Sequence, residues 1–335
     1  MKSIKVLSFI FIAFALVAIT ACSSSKITEP SKTSELTVAP LATEKAEPAN
    51  KEKEVVVGFT LQNLSNPFFV AMSKGATAGA MLHGADVITV SADGDLAKQT
   101  AQIKDFIARK VNVILLNAVD SKGIADAVSQ ARAAGIPVIA VDVGADGGVN
   151  TVVTSDNYLA GKLAGEYIVK RLNGKGNVVV IDGPPVSAVT DRISGFEEAI
   201  RATPEIRVVA KKNGYGNREK STSMMETILQ TFKKGEIDAV FATNDPSGVG
   251  AKIAAEQAGR DKEMFIVGID GAPDAVKALK EKKSFVATSA QYPFEMIKLA
   301  MDEGFKVLKG EKIESLINIP VDLITPDNVE TYKGW

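Results

Sequence analysis

The chain has 335 residues, with 39 Lys and Arg against 40 Asp and Glu, a net charge of -1, one Cys, one His and one Trp. At roughly 100–200 residues per domain this is material for about two domains, and a near-zero charge gives no pull toward nucleic acid. One Cys and one His exclude a disulfide framework, Cys/His zinc sites and histidine-based nucleophilic catalysis, so neither a metal nor a cofactor is expected.

In chain order, Met1 to Lys5 is a basic start and Val6 to Ile19 an apolar run. That run is shorter than the roughly 20 residues of a spanning helix and fits the core of an export signal. It leads to Ile19-Thr-Ala-Cys22-Ser23, which resembles the lipobox of bacterial lipoproteins. The resemblance implies a signal peptide over 1–21, cleavage before Cys22 and lipid attachment at its sulfur. Residues 22–53 are rich in Ser, Thr, Glu, Pro, Ala and Lys, a composition that cannot bury enough surface to fold, and read as a tether. The protein is expected to be exported and held by lipid on the cell membrane or facing the periplasm.

From Val55 the pattern alternates. Apolar runs at 55–57, 113–116, 137–141, 177–181, 239–242 and 264–267 are separated by helical segments. Near-continuous β-branched runs with helices between them predict parallel sheets covered on both faces. Pro67 and Pro293 mark helix starts; Gly135, Gly174 and Gly310 mark helix ends. An internal echo is present. Ile114 to Asn117 leads through a helix to a strand ending at Asp142, and Val240 to Asn244 leads through a helix to a strand ending at Asp270. The expected fold is therefore α/β, with two matched doubly wound lobes.

Ligands bind outside the carboxyl ends of strands in such sheets. Asn117, Asp142, Asn244 and Asp270 each end a predicted strand and meet in one cleft if the lobes face each other. Carboxylates accept hydroxyl hydrogen bonds, amides donate and accept, and the Arg192 guanidinium offers a rigid fork. Phe68 and Phe69, after Asn66-Pro67, could stack on the C–H face of a sugar, with one of them assigned to the core. Asp142 and Asp270 could also form a general acid/base pair, but neighbouring Asn and Arg suit static binding better. Asp93-Gly-Asp95 reads as a turn before a helix, His83 as a helix-end residue and Trp335 as peripheral.

The series Asn66-Pro-Phe-Phe69, Asn117-Ala-Val-Asp-Ser121, Asp142, Thr154-Ser-Asp-Asn157, Asp191-Arg192, Thr243-Asn-Asp245, Gly268-Ile-Asp-Gly271 and Ala290-Gln291 resembles the ribose-binding family, the substrate-binding proteins of bacterial sugar ABC transporters. The likeness runs from about Val55 to Asp322. It implies a type I periplasmic binding protein fold with a three-crossover hinge near Ser155, Gln291 and Asp322. The lobes would then be 54–155 plus 292–322 and 156–291 plus 323–335. It also implies sugar contacts at Asn66, Phe68, Phe69, Asn117, Asp142, Arg192, Asn244, Asp270 and Gln291, and a second-lobe aromatic near Tyr215 or Gly216, for which Tyr215 is the side chain at hand. Implied partners are a small-molecule sugar and the permease subunits with their ATPase; the binding protein itself is expected to be a monomer, with no nucleic-acid partner. Two positions depart from the family. Val143 stands where an Arg follows the first-lobe Asp, and Gln62 stands where a small hydroxyl residue is usual, so the resemblance points to a related pentose, hexose or sugar alcohol. A sugar receptor feeding a chemoreceptor or sensor kinase fits the same residues. A repressor of the same fold does not fit an exported chain.

Overall fold

The computed structural model describes residues 55–335; the signal segment, Cys22 and the tether lie outside them. The apolar run after Lys53 forms β1 (Val56–Leu61), joined by β2 (Asp86–Ser91), β3 (Val113–Leu116), β4 (Val138–Val141), β5 (Thr151–Ser155) and β11 (Leu316–Ile319). These make one parallel sheet in the order β11-β5-β4-β3-β1-β2. The second sheet holds β6 (Gly176–Asp182), β7 (Ile206–Asn213), β8 (Ala239–Ala242), β9 (Phe265–Asp270), β10 (Phe285–Ala290) and β12 (Asp322–Ile324), in the order β12-β10-β9-β8-β6-β7. Only the β10–β12 edge is antiparallel. The two orders are the same pattern, so β3 and β4 correspond to β8 and β9, the strands of the sequence echo.

Each sheet is buried on both faces because successive side chains point to opposite sides. Val57, Phe59, Leu115 and Ile139 meet α1 (Pro67–Leu82) and α9 (Pro293–Leu308) on one face of the first sheet. Ile114, Leu116 and Val138 meet α2 (Leu96–Arg109) and α3 (Ala125–Ala133) on the other. In the second lobe, Val178, Val180 and Phe241 pack with α4 (Asn157–Arg171) and α5 (Ser187–Arg201). Val179, Ile181 and Val240 pack with α6 (Arg218–Thr231), α7 (Asp245–Gln257) and α8 (Pro273–Lys280).

The chain passes between lobes three times: from β5 into α4, from β10 into α9, and from β11 into β12. Asp322, expected in the first lobe, already pairs with Ala290 in the second sheet, so the third crossing precedes it. Asp95 caps α2, its Oδ1 accepting from Ala97 N and Lys98 N at 2.7 and 3.0 Å. His83 closes α1, stacks on Phe305 at 4.0 Å and lies 2.7 Å from Asp302 Oδ1. Trp335 is not peripheral. It packs against the core clusters of both lobes.

Candidate functional site

The carboxyl ends of the strands from both lobes face one cleft enclosing about 510 Å3, counting the space open to solvent at its mouth. From the first lobe, the turn after β1 presents Asn66, whose Oδ1 accepts from Phe68 N at 2.9 Å and so starts α1. That cap fixes the first turn and turns both Phe68 and Phe69 inward, edge to face at 5.5 Å. Each ring lines the cleft and belongs to the first-lobe core as well, so neither is core alone.

Asp142 follows β4 with φ 70, a left-handed conformation that a non-glycine residue holds only under strain. Thr154 Oγ1 donates to its carbonyl at 2.6 Å, and Asn117 Nδ2 donates to its Oδ2 at 2.8 Å. Burial pushes the Asp142 carboxyl up to about 6, opposed by the Arg192 charge and by the Asn117 amide. Asn117 itself does not line the cleft. It is fully buried one layer behind, where its Oδ1 accepts from Gln62 N at 3.1 Å. In this structure Asn117 supports Asp142, with both hydrogen-bonding ends of its amide taken up by protein groups.

Arg192 enters from α5, which lies so close to α4 that a Cβ at Gly161 would sit 1.9 Å from the Arg192 carbonyl oxygen. Its Nε donates to Asn157 Oδ1 and its Nη1 to Thr243 O, both at 2.8 Å, and Nη1 stands 3.8 Å from Asp270 Oδ1. Asn157, at the first crossover, therefore aims the guanidinium. Asp270 ends β9 with φ 142, accepts from Gln291 Nε2 at 2.8 Å and from the Asp245 backbone N–H at 3.3 Å. Burial raises its carboxyl to about 7, against the opposing Arg192 charge. Asp245 sits behind it, fully buried, accepting from Thr288 Oγ1 and Ala272 N at 2.8 Å each. Burial and then the Asp270 charge raise its pKa well above the usual carboxylate range.

Asn244 both caps α7, accepting from Ser247 N at 3.0 Å, and donates to Gly216 O across the cleft wall at 3.0 Å. Tyr215 lines the mouth, 58% exposed, with Lys220 Nζ 4.5 Å from its ring centre. The cleft thus gathers Asn66, Phe68, Phe69, Asp142, Arg192, Tyr215, Asn244, Asp270 and Gln291. It adds Gln62 and Val143, which the sequence marks only as departures, and Asn63, Pro184, Val186, Ala188, Val189, Gly216 and Thr243. The apolar turn before α5 carries no ligand signature in sequence; its place follows from the lobes meeting. Val143 joins Val186 and Ala188 in one buried cluster, Gly144 N donates to Ser187 Oγ at 2.7 Å, and Ser187 N donates to Ser121 Oγ at 3.1 Å. The lobes touch directly beside the cleft.

A model of the periplasmic binding protein domain matches residues 57–312. The chain is 37% identical over 284 residues to the ribose import binding protein of Bacillus subtilis, covering 84% of this chain and 91% of that one. It is 29% identical to the xylitol-binding protein of Mycolicibacterium smegmatis, over 82% of this chain and 78% of that one. A Bacillus halodurans ABC transporter solute binding protein with bound myo-inositol superposes with a TM-score of 0.78 at 31% identity, covering 84% of this chain and 97% of that one. Two parallel-sheet lobes, a cleft at their strand ends and these matches place the chain in the periplasmic binding protein family, in its ribose-binding-like branch.

Proposed function

We propose that this protein captures a monosaccharide or sugar alcohol between its lobes and delivers it to an ABC-type permease, and that Cys22 carries the lipid that keeps it at the membrane. The observation that carries this reading is the pairing of Asp142 and Asp270, one from each lobe, with Arg192 acting on both charges. Two carboxylate acceptors facing one guanidinium suit a small molecule whose hydroxyls surround a ring or chain. Phe68 and Phe69 supply apolar faces for its C–H groups. A ligand touching both lobes favours the closed arrangement, because only closure completes its hydrogen bonds.

Nothing in this cycle breaks a bond in the ligand. Asp142 and Asp270 are engaged by Asn117, Gln291 and the Asp245 backbone, an arrangement that holds carboxylates still for recognition. Val143 removes a guanidinium from the first-lobe wall and leaves an apolar surface, which favours a ligand with fewer acceptor oxygens on that side than ribose offers. Isothermal titration with ribose, xylitol, myo-inositol and other pentoses, hexoses and polyols tests the reading, with saturable binding of at least one as the expected result. No heat from any of them at sub-millimolar concentrations would overturn it. Globomycin-sensitive processing and labelled-palmitate incorporation, lost in Cys22→Ser, test the anchor.

A further inference from the structure

We infer that Trp335 is a positioning residue of the cleft, holding one ligand-facing group from each lobe at once. The inference rests on the reading of the cleft as a sugar site. After β12 the chain returns toward the cleft from the second lobe. Tyr332 Oη donates to Gly271 O at 3.2 Å, and Trp335 Nε1 donates to Asp270 O at 2.9 Å. That same carbonyl accepts from Gln291 N at 2.9 Å. The Asp270 peptide needs such partners: with φ 142 followed by Gly271 at φ 73, its backbone lies where side-chain-bearing residues rarely rest. Two donors on one carbonyl set the peptide plane, and the peptide plane sets where the Asp270 carboxylate points.

The other side of the indole faces the first lobe. Its ring stands edge-on to Phe68 at 5.7 Å and 86°. Phe68 in turn meets Phe69 edge to face, so the indole is the outer member of a row of three rings whose inner members line the cleft. Trp335 belongs to the packing of both lobes, against the cluster that contains Phe68 and against the one that contains Ala272. If the lobes separate, the indole can follow Phe68 or Asp270 but not both. Its full set of contacts therefore exists only when the lobes are together, and losing it weakens ligand retention more than ligand capture.

The chain contains one Trp, so its emission reports this one position. Fluorescence of the full protein, excited selectively at Trp and titrated with ribose, xylitol and myo-inositol, is expected to change saturably at the midpoint found by calorimetry. Trp335→Phe keeps a ring against Phe68 and loses the N–H; Trp335→Ala loses both. The expected order is a several-fold loss of affinity for the first and a loss of roughly 30-fold for the second, expressed in the dissociation rate with the association rate little changed. Wild-type dissociation rates in both variants, with wild-type emission unresponsive to a sugar that calorimetry shows to bind, would overturn the inference alone. Absence of binding by the wild-type protein to any sugar would instead overturn the reading of the cleft, and this inference with it.

Discussion

Asn117 Nδ2 donates to Asp142 Oδ2 at 2.8 Å, tying the end of β3 to the end of β4 one layer behind the cleft surface. A neutral amide thereby steers a carboxylate that has lost most of its water. Replacing Asn117 with Ala removes that donor, leaves Gln62 N without its acceptor and opens a small void. The expected cost is about 1–3 kcal/mol of stability and a roughly tenfold loss of sugar affinity, with Asn117 standing behind the residues that line the cleft. Denaturant unfolding and calorimetry on the same preparation check both.

Asp270→Asn separates binding from folding. The carboxyl is raised to about 7 because burial penalises its charge more than Arg192 and Gln291 favour it. At pH 8 the wild type holds a costly buried carboxylate beside Asp245, and the amide does not. The variant is expected to melt higher than the wild type at pH 8 while binding sugar roughly 30-fold more weakly, near 2 kcal/mol, through loss of a charged acceptor. A lower melting temperature would show that the ion pair with Arg192 dominates.

The pH dependence follows from the same two groups. Asp142 at about 6 and Asp270 at about 7 are both raised from 3.8, so the folded state takes up protons before the unfolded chain does. Their contribution to stability is full below about pH 4 and is lost as pH rises through 7. Ligand hydroxyls need ionised acceptors, so affinity runs the other way. It is expected to fall by about an order of magnitude or more between pH 8 and pH 5, with proton release on binding near pH 6. Calorimetry in buffers of different ionisation enthalpy measures that proton count.

Val143→Arg restores the guanidinium that the ribose-binding family places after its first-lobe aspartate. Val143 is 1% exposed and clustered with Val186 and Ala188, so the larger side chain must displace that apolar contact between the lobes. The expected result is weaker binding overall, by up to tenfold, with the ratio of ribose to xylitol affinity increased. An unchanged ratio would show that this position does not set specificity.

Much of this architecture is legible in the chain itself. Buried parallel strands must be apolar on both faces, so Val113–Leu116 and Ala239–Ala242 stand out as continuous runs. The echo of Asn then Asp at successive strand ends follows from two lobes built alike. The edge strands β2 and β7 are harder to see, because one long side is uncovered and polar residues such as Arg207 and Lys211 are admitted. β10 is hidden differently. Its Thr288 and Ser289 are fully buried, which is tolerable only because Asp245 and the Ala160 carbonyl accept from them across the fold.

The class of the fold, the edge of the sheets where chemistry collects and the residue types gathered there can be read from the chain, since strand period and strand-end position are local properties. Depth is a matter of packing. Asn117 directly follows β3 and is sealed behind Asp142, whereas Asn244 stands one residue further beyond β8, after Thr243, and reaches the cleft wall. Trp335, 65 residues after Asp270, reaches its carbonyl only through the path of a chain that crosses between lobes three times. Contacts across such separations depend on how whole elements pack, and no local periodicity encodes them.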